Sequence, residues 1–298
     1  MKIKNNMSKA KPFIKWVGGK GQLIEQLEAL LPADFDEWEN VTYIEPFVGG
    51  GAMLFHMLQA HPNIQTAVIN DINKDLVQCY EVVKSAPDAL VKSLKEIQAE
   101  YYALNGEESK KEFFLKQRAE FNKKNLDAIL NTTLFFFLNK TCFNGLYRVN
   151  KSGAFNVPFG RYANPTICDP NTIYADSALL QKVEILTGDY QQTLKKAQGN
   201  TLFYFDPPYR PLNATSSFTD YDKETFNDVA QKRLKEFCDK VGEAGFSFML
   251  SNSDCKDMFF DDLYLHYQIE RVWASRAINS NPQKRGKLTE ILIRNYVA

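Results

Sequence analysis

The stretch "TLFYFDPPYRP", residues 201–211, decides how the fold is read. Five residues suited to a buried strand, Thr201 to Phe205, run straight into an aspartate, two prolines and a tyrosine. Consecutive prolines remove two backbone donors and fix two φ angles, so the strand must stop at Asp206. The carboxylate is left at the carboxyl end of a strand, the edge at which open α/β sheets bind their ligands.

Working outward, the same alternation of strand and helix appears on both sides. Upstream, "GKGQLIEQLEALL" places Leu23, Ile24, Leu27, Leu30 and Leu31 on one helical face ahead of Pro32. "VTYIE" reads as a strand, "PFVGGG" as a tight loop, "AMLFHMLQA" as a helix, "IQTAVIN" as a strand and "NKDLVQCYEVVK" as a helix. Short connections in that order predict a parallel sheet. From about Ser85 the alternation stops: residues 88–138 carry helical periodicity, and "NGLYRVNKSGAFNVPFGRY" reads as a hairpin turning at "KSG" and closing at Pro158. Strands resume at "VEILT", "TLFYF" and "FSFMLSN", with the helix "KETFNDVAQKRLKEFCDKVGEAG" between the last two, and "YQIERVWA" and "TEILIRNY" follow. The pattern predicts a Rossmann-like α/β domain, residues 1–84 and 176–298, interrupted by a mainly helical insertion, 85–175, that carries a β-hairpin.

Composition narrows the classes. The 298 residues, 44% hydrophobic and 24% charged, describe an ordinary globular chain. The longest apolar run, "TLFFFL" ending at Leu138, is far short of the roughly 20 residues of a membrane span, and the basic start lacks the apolar core of a signal peptide. A cytoplasmic protein is expected. Five scattered cysteines and three histidines form neither a disulfide framework nor a metal-ligand spacing, so no metal is expected. Net charge is zero, yet every charge before Glu25 is a lysine, and no acid occurs from Ala128 to Cys168 or from Arg271 to Leu288. Such segregation can give a neutral protein a basic stripe for nucleic acid, or simply solvated faces.

Three glycines, Gly49 to Gly51, between a strand and a helix let a ligand approach the backbone and meet free helical amides, although glycine turns at that place are common. Asp71 ends the next strand about twenty residues on, the place from which an acid grips ribose hydroxyls; a turn and N-cap in "NDIN" would use the same letters. At "DPPY", an exocyclic amine on a planar base would suit the parts. Asp206 can accept one amine hydrogen, the Pro207 carbonyl the other, and Tyr209 offers a face for stacking. Two fixed acceptors favour a pyramidal nitrogen with its lone pair aimed at an electrophile. A proline turn ending a strand is the plainer alternative.

"DPPY" at 206–209, "EPFVGGG" at 45–51, "FIKWVGGKGQL" at 13–23 and "CFNGLYRVNKSGAFNVPFGRY" at 142–162 together resemble the Dam-type, S-adenosylmethionine-dependent adenine-N6 DNA methyltransferases of class alpha. The likeness covers most of the chain and is weak only across about 85–130. It implies a mostly parallel sheet with the last strand antiparallel, S-adenosylmethionine as cofactor, and methylation of a flipped adenine in double-stranded DNA, within GATC. By the same resemblance, Asp206, Pro207, Pro208 and Tyr209 are catalytic. Trp16, Lys20, Glu45, Pro46, Phe47, Gly49, Gly51, Asp71, Asp189 and Asp206 contact the cofactor. Lys15, Asn144, Leu146, Arg148, Asn156 and Arg161 contact DNA, with Lys15 reading a base. The likeness also admits a companion restriction endonuclease in function. A same-fold enzyme acting on RNA or on protein glutamine, or a silent DNA-binding relative, is the alternative; amide-modifying relatives usually carry N-P-P-Y where this chain has Asp206. The aromatic run Phe135 to Phe137 is expected to be helix core.

Overall fold

β-Branched and aromatic residues place the strands where the sequence predicts them. The computed structural model describes residues 9–212, 226–275 and 287–298. In chain order these form α1 (Ile24–Glu28), β1 (Val41–Glu45), α2 (Ala52–Ala60), β2 (Ile64–Asp71), α3 (Lys74–Ser85), α4 (Pro87–Tyr102), α5 (Glu107–Phe121), α6 (Ala128–Thr141), α7 (Pro170–Leu180), β3 (Val183–Thr187), β4 (Thr201–Phe205), α8 (Asp228–Glu243), β5 (Ser247–Ser253), α9 (Phe259–Leu263), β6 (Gln268–Ser275) and β7 (Lys287–Arg294). Part of the acid-free stretch from Arg271 to Leu288, and the start of the helix expected from Lys223, lie outside the described residues.

The chain divides into two compact units. The first comprises residues up to Gly19, Gly49–Ala60 and Asp71–Gly188; the second comprises Lys20–Val48, His61–Asn70 and Asp189–Ala298. The first unit therefore holds more than the predicted insertion of 85–175, because α3 packs against both α6 and α7.

In the second unit six strands run β2-β1-β4-β5-β7-β6; β3, the seventh strand among the described residues, belongs to the first unit. β1 pairs in parallel with β2 and β4, and β4 with β5, while β7 is antiparallel to both β5 and β6. All five residues of β1 and all five of β4 are buried, which is why neither shows the alternation of a half-exposed strand. The register sets the site: Phe205 lies opposite Leu250, and Ser253 opposite Glu290. Asp206, just beyond β4, Glu45, the last residue of β1, and Glu290, near the start of the antiparallel β7, thus share the carboxyl edge of the parallel strands. Helix α8 covers this unit with Leu234, Phe237, Cys238 and Val241, and Asn227 caps it by accepting from the Val229 and Ala230 amides. Helix α1 is shorter than its periodicity predicts, but Leu23, Leu27 and Leu31 are buried on one side as expected.

The first unit is built around α6. Its residues Leu134 to Leu138 are all buried, so the aromatic run Phe135–Phe137 is core, and its first turn is capped by Asp127 accepting from the Leu130 amide. Helices α3, α4 and α5 pack on it. The expected hairpin is held by two antiparallel bridges, Cys142 with Phe159 and Val149 with Phe155, rather than by a strand ladder. It turns at Lys151–Gly153, where the Asn150 carboxamide oxygen accepts from the Ser152 and Ala154 amides.

Phe205 meets Phe203, Phe237 and Phe248 with ring centroids 5.7, 5.9 and 6.1 Å away. Replacing it with alanine should lower the free energy of unfolding by about 3–5 kcal/mol in urea titration; a loss below about 1 kcal/mol would mean that β4 is not anchored by this cluster.

Candidate active site

Four side chains of the second unit converge where β4 ends. The ammonium of Lys20 lies 2.9 Å from Asp206 Oδ1 and 3.8 Å from Glu290 Oε2, and it sits 4.4 Å from the centroid of the Tyr209 ring. The Tyr209 hydroxyl donates to Glu290 Oε2 at 2.6 Å. Lys20 is buried, at 5% exposure, whereas Asp206 and Glu290 keep about a fifth of their side chains open. Burial pushes the Asp206 carboxyl up from its ordinary range, and the nearby Glu290 adds to this, while the Lys20 ammonium pulls it back.

The chain after Asp206 is pinned by its neighbours. The Pro208 carbonyl accepts from Gln231 Nε2, whose Oε1 accepts from Asn252 Nδ2. The Arg210 amide donates to Asn252 Oδ1, and the Arg210 carbonyl accepts from the Ser253 hydroxyl. The Arg210 guanidinium pairs with Asp228 at 2.7 Å and Asp257 at 2.6 Å. The two prolines therefore lie in a loop tied to both α8 and β5. At the end of β1, Glu45 is buried and accepts from the Tyr43 hydroxyl at 2.7 Å; burial pushes its carboxyl up to about 8. Pro46 accepts from the Asn70 carboxamide, and Phe47 packs on Tyr190 and Phe226. Asp189 accepts from the Gln191 amide and pairs with Arg233 at 2.6 Å, contacts that hold its carboxyl below the ordinary value despite partial burial.

In the first unit, Asp71 binds the glycine loop directly. Its Oδ2 accepts from the Gly49 amide at 3.2 Å and its Oδ1 from the Asn73 amide at 2.9 Å, while Asn73, not Asp71, caps α3. Burial raises the Asp71 carboxyl, and those backbone donors oppose the rise. The glycines also have a packing reason. A Cβ on Gly49 would stand 2.9 Å from the Trp16 indole, and one on Gly51, where φ is +72°, 2.5 Å from the Tyr80 hydroxyl. Tyr80 in turn donates to the Gly49 carbonyl. Trp16 stacks on Tyr147, which stacks on Phe135.

The residues expected to meet DNA also lie in this unit. Arg148 is exposed and its guanidinium is oriented by Asn156, through Nε to Oδ1 at 2.7 Å. Leu146 is half-buried. Asn144 and Arg161 take positive φ, 55° and 56°, unusual for residues other than glycine. Arg161 pairs with Glu107 at 3.2 Å on the surface. The exposed Lys15 places its ammonium 4.8 Å from the centre of the Tyr162 ring.

Residues 16–278 match the family of D12 class N6 adenine-specific DNA methyltransferases. The chain belongs to this family. It is 48% identical over 289 residues to the type II methyltransferase M.MjaIII of Methanocaldococcus jannaschii, covering 96% of this chain and 99% of that one. It is 36% identical to the type II methyltransferase M1.LlaDCHI of Lactococcus lactis subsp. cremoris, covering 99% and 98%. It is 32% identical to the DNA adenine methylase of Escherichia coli K12, covering 96% and 95%. The chain is thus an adenine-specific DNA methyltransferase, and the alternatives of RNA or protein glutamine fall away.

Within the methyltransferase, the predicted catalytic residues stand together at the β4 edge, and Lys20, expected on the cofactor, touches Asp206. Glu290 belongs to no motif that the sequence singles out. Its only signal in the sequence is an acid directly before the apolar run "ILI" of the terminal strand. Among the described residues no group of three or more His, Cys, Asp or Glu could hold a metal, and no helix is long and apolar enough to cross a membrane.

Two titrations probe this centre. Replacing Lys20 by methionine removes the charge that favours ionised Asp206, so the acid limb of kcat/KM against pH should move to higher pH; an unmoved limb would show that the pair does not govern activity. Glu45 in the folded state keeps a proton that the unfolded chain releases, so stability contributed by this group is full below its ordinary value of 4.5 and is lost as pH rises to about 8. Glu45→Gln should therefore gain stability over the wild type between pH 5 and 8 in urea midpoints. A pH-independent difference would contradict the assignment.

Proposed function

We propose that the methyltransferase takes its methyl group from S-adenosylmethionine and places it on the N6 amine of an adenine flipped out of double-stranded DNA, within GATC. The observation that carries this reading is the Asp206 carboxylate at the open edge of β4, held by buried Lys20 beside a Tyr209 ring fixed through Glu290. Asp206 and the Pro207 carbonyl accept the two amine hydrogens, Tyr209 stacks on the base, and Pro208 keeps the loop rigid. Methylation builds positive charge on the amine, which is discharged when the nitrogen releases one of its two hydrogens as a proton. Two carboxylates against one ammonium leave the surroundings net negative, which stabilises that charge as it forms. A base in the stack cannot reach such a pocket, so the target must leave the duplex.

Bound S-adenosylmethionine would supply an electrophilic methyl on its sulfonium. In the first unit the Asp71 carboxylate accepts from the Gly49 and Asn73 amides and retains acceptor capacity for ribose hydroxyls; in the second unit, taken by itself, Phe47 offers a flat apolar surface. Trp16, Lys20, Glu45, Pro46, Gly49, Gly51, Asp189 and Asp206 complete the proposed contacts.

Residues 85–175 act as the target-recognition region. The Arg148 guanidinium, its plane set by Asn156, suits bidentate contact with a guanine edge. Asn144 and Leu146 touch neighbouring bases, Lys15 reads a base, and Arg161 exchanges Glu107 for a phosphate. Relatives named type II methyltransferases, at 48% and 36% identity, support a companion restriction endonuclease. Five unpaired, buried cysteines are in keeping with a cytoplasmic enzyme.

Incubation with GATC duplex and methyl-labelled S-adenosylmethionine should put label on adenine. Label on cytosine, or cofactor binding without transfer, would reject the proposal. Asp206→Ala should abolish transfer while duplex binding persists; transfer by that variant would refute the role of the carboxylate.

A further inference from the structure

We infer that Asn139, in the last turn of α6, is a positioning residue for target recognition, because it fixes where the Lys15 side chain stands against the 144–146 loop. The inference rests on the proposed contact of Lys15 and that loop with DNA.

Asn139 is 3% exposed and makes three hydrogen bonds through its carboxamide. Its Oδ1 accepts from the Lys15 amide at 2.9 Å, and its Nδ2 donates to the Lys15 carbonyl at 2.8 Å and to the Gly145 carbonyl at 2.9 Å. A single buried amide thus satisfies both backbone groups of Lys15 and ties them to the loop. Gly145, at φ +64°, lets the contact close: a Cβ there would lie 2.5 Å from Lys15 Cδ and 2.7 Å from Lys15 Cβ. The lysine stem therefore lies against the Gly145 backbone. At its far end the ammonium faces the Tyr162 ring, and the Tyr162 hydroxyl accepts from the Asn144 amide at 3.0 Å. The path from Asn139 through Lys15, Tyr162, Asn144 and Gly145 returns to Asn139. The path holds both ends of an exposed lysine whose free side chain would otherwise lose rotamer entropy on binding. Sequence distance hides this arrangement, since Lys15 and Asn139 are 124 residues apart.

Asn139→Asp keeps the shape but sets an oxygen, without hydrogens, against two carbonyls. It should loosen Lys15 from Gly145. The assay compares kcat/KM for a GATC duplex with duplexes altered at one base pair. Lys15→Ala should lower the discrimination ratio at one position by roughly tenfold, the size of one base contact. Asn139→Asp should lower it at the same position by a similar factor, raising KM for the GATC duplex more than it lowers kcat. The double variant should discriminate no worse than Lys15→Ala, because Asn139 acts through that side chain. Gly145→Ala, which pushes on the lysine stem from the other side while leaving Asn139 intact, should reproduce the loss, and it decides the question if Asn139→Asp does not fold. The inference is overturned if Asn139→Asp, or failing that Gly145→Ala, folds and discriminates like the wild type, or if the losses in the double variant add. Unchanged discrimination in Lys15→Ala would refute base contact by Lys15 itself and the inference with it, while adenine labelling by the wild type would leave the enzyme activity standing.

Discussion

The ion pair between Lys20 and Asp206 is the contact on which the arrangement at the β4 edge depends. A lysine with 6% of its side chain exposed is costly to bury, and a carboxylate at 2.9 Å is what makes it tolerable. Such pairs contribute little net stability compared with apolar packing, so the arrangement is better understood by what it orients. Lys20 holds one oxygen of Asp206, lies over the Tyr209 ring, and reaches toward Glu290, which takes the Tyr209 hydroxyl. One ammonium thus sets the direction of an acceptor, the plane of an aromatic ring and the charge balance around both.

The fold delivers these groups through register. β1 ends in an acid and the parallel β4 is followed directly by one at the same edge, and antiparallel β7 brings an acid near its start to that edge because Ser253 pairs with Glu290. The prolines add rigidity, and Asn252, Ser253 and Gln231 hold the loop that follows them. In the first unit the glycine loop is shaped by a different set of contacts. Trp16 and Tyr80 occupy the space that Cβ atoms would need, and Asp71 binds a loop amide.

Much of this is legible along the chain. The strand ending at Asp206, the glycine turn, and the helical stretch from Pro87 to Leu138 follow from local propensity and from prolines that cannot continue a strand. What escaped was set by pairing between distant segments. Glu290 lies 84 positions beyond Asp206, and only the antiparallel register of β7 joins them. "NDIN" admits two readings, an acid for ribose or a turn and N-cap; the structure shows the turn, Asp71 accepting from the Asn73 amide, and the cap, Asn73, while the other Asp71 oxygen accepts from the glycine loop. Helix α1 is shorter than its leucine spacing predicts, because leucines at helical spacing fill a core equally well from a short helix and the turns that flank it.

The most direct measurement is a crystal structure of the methyltransferase with GATC duplex and a non-reactive sulfonium analogue. The expected result is an extrahelical adenine whose N6 lies within about 2.7–3.2 Å of both an Asp206 carboxyl oxygen and the Pro207 carbonyl, with Lys20 still on the other oxygen. An adenine amine bound elsewhere, with Asp206 engaged only by Lys20, would contradict it.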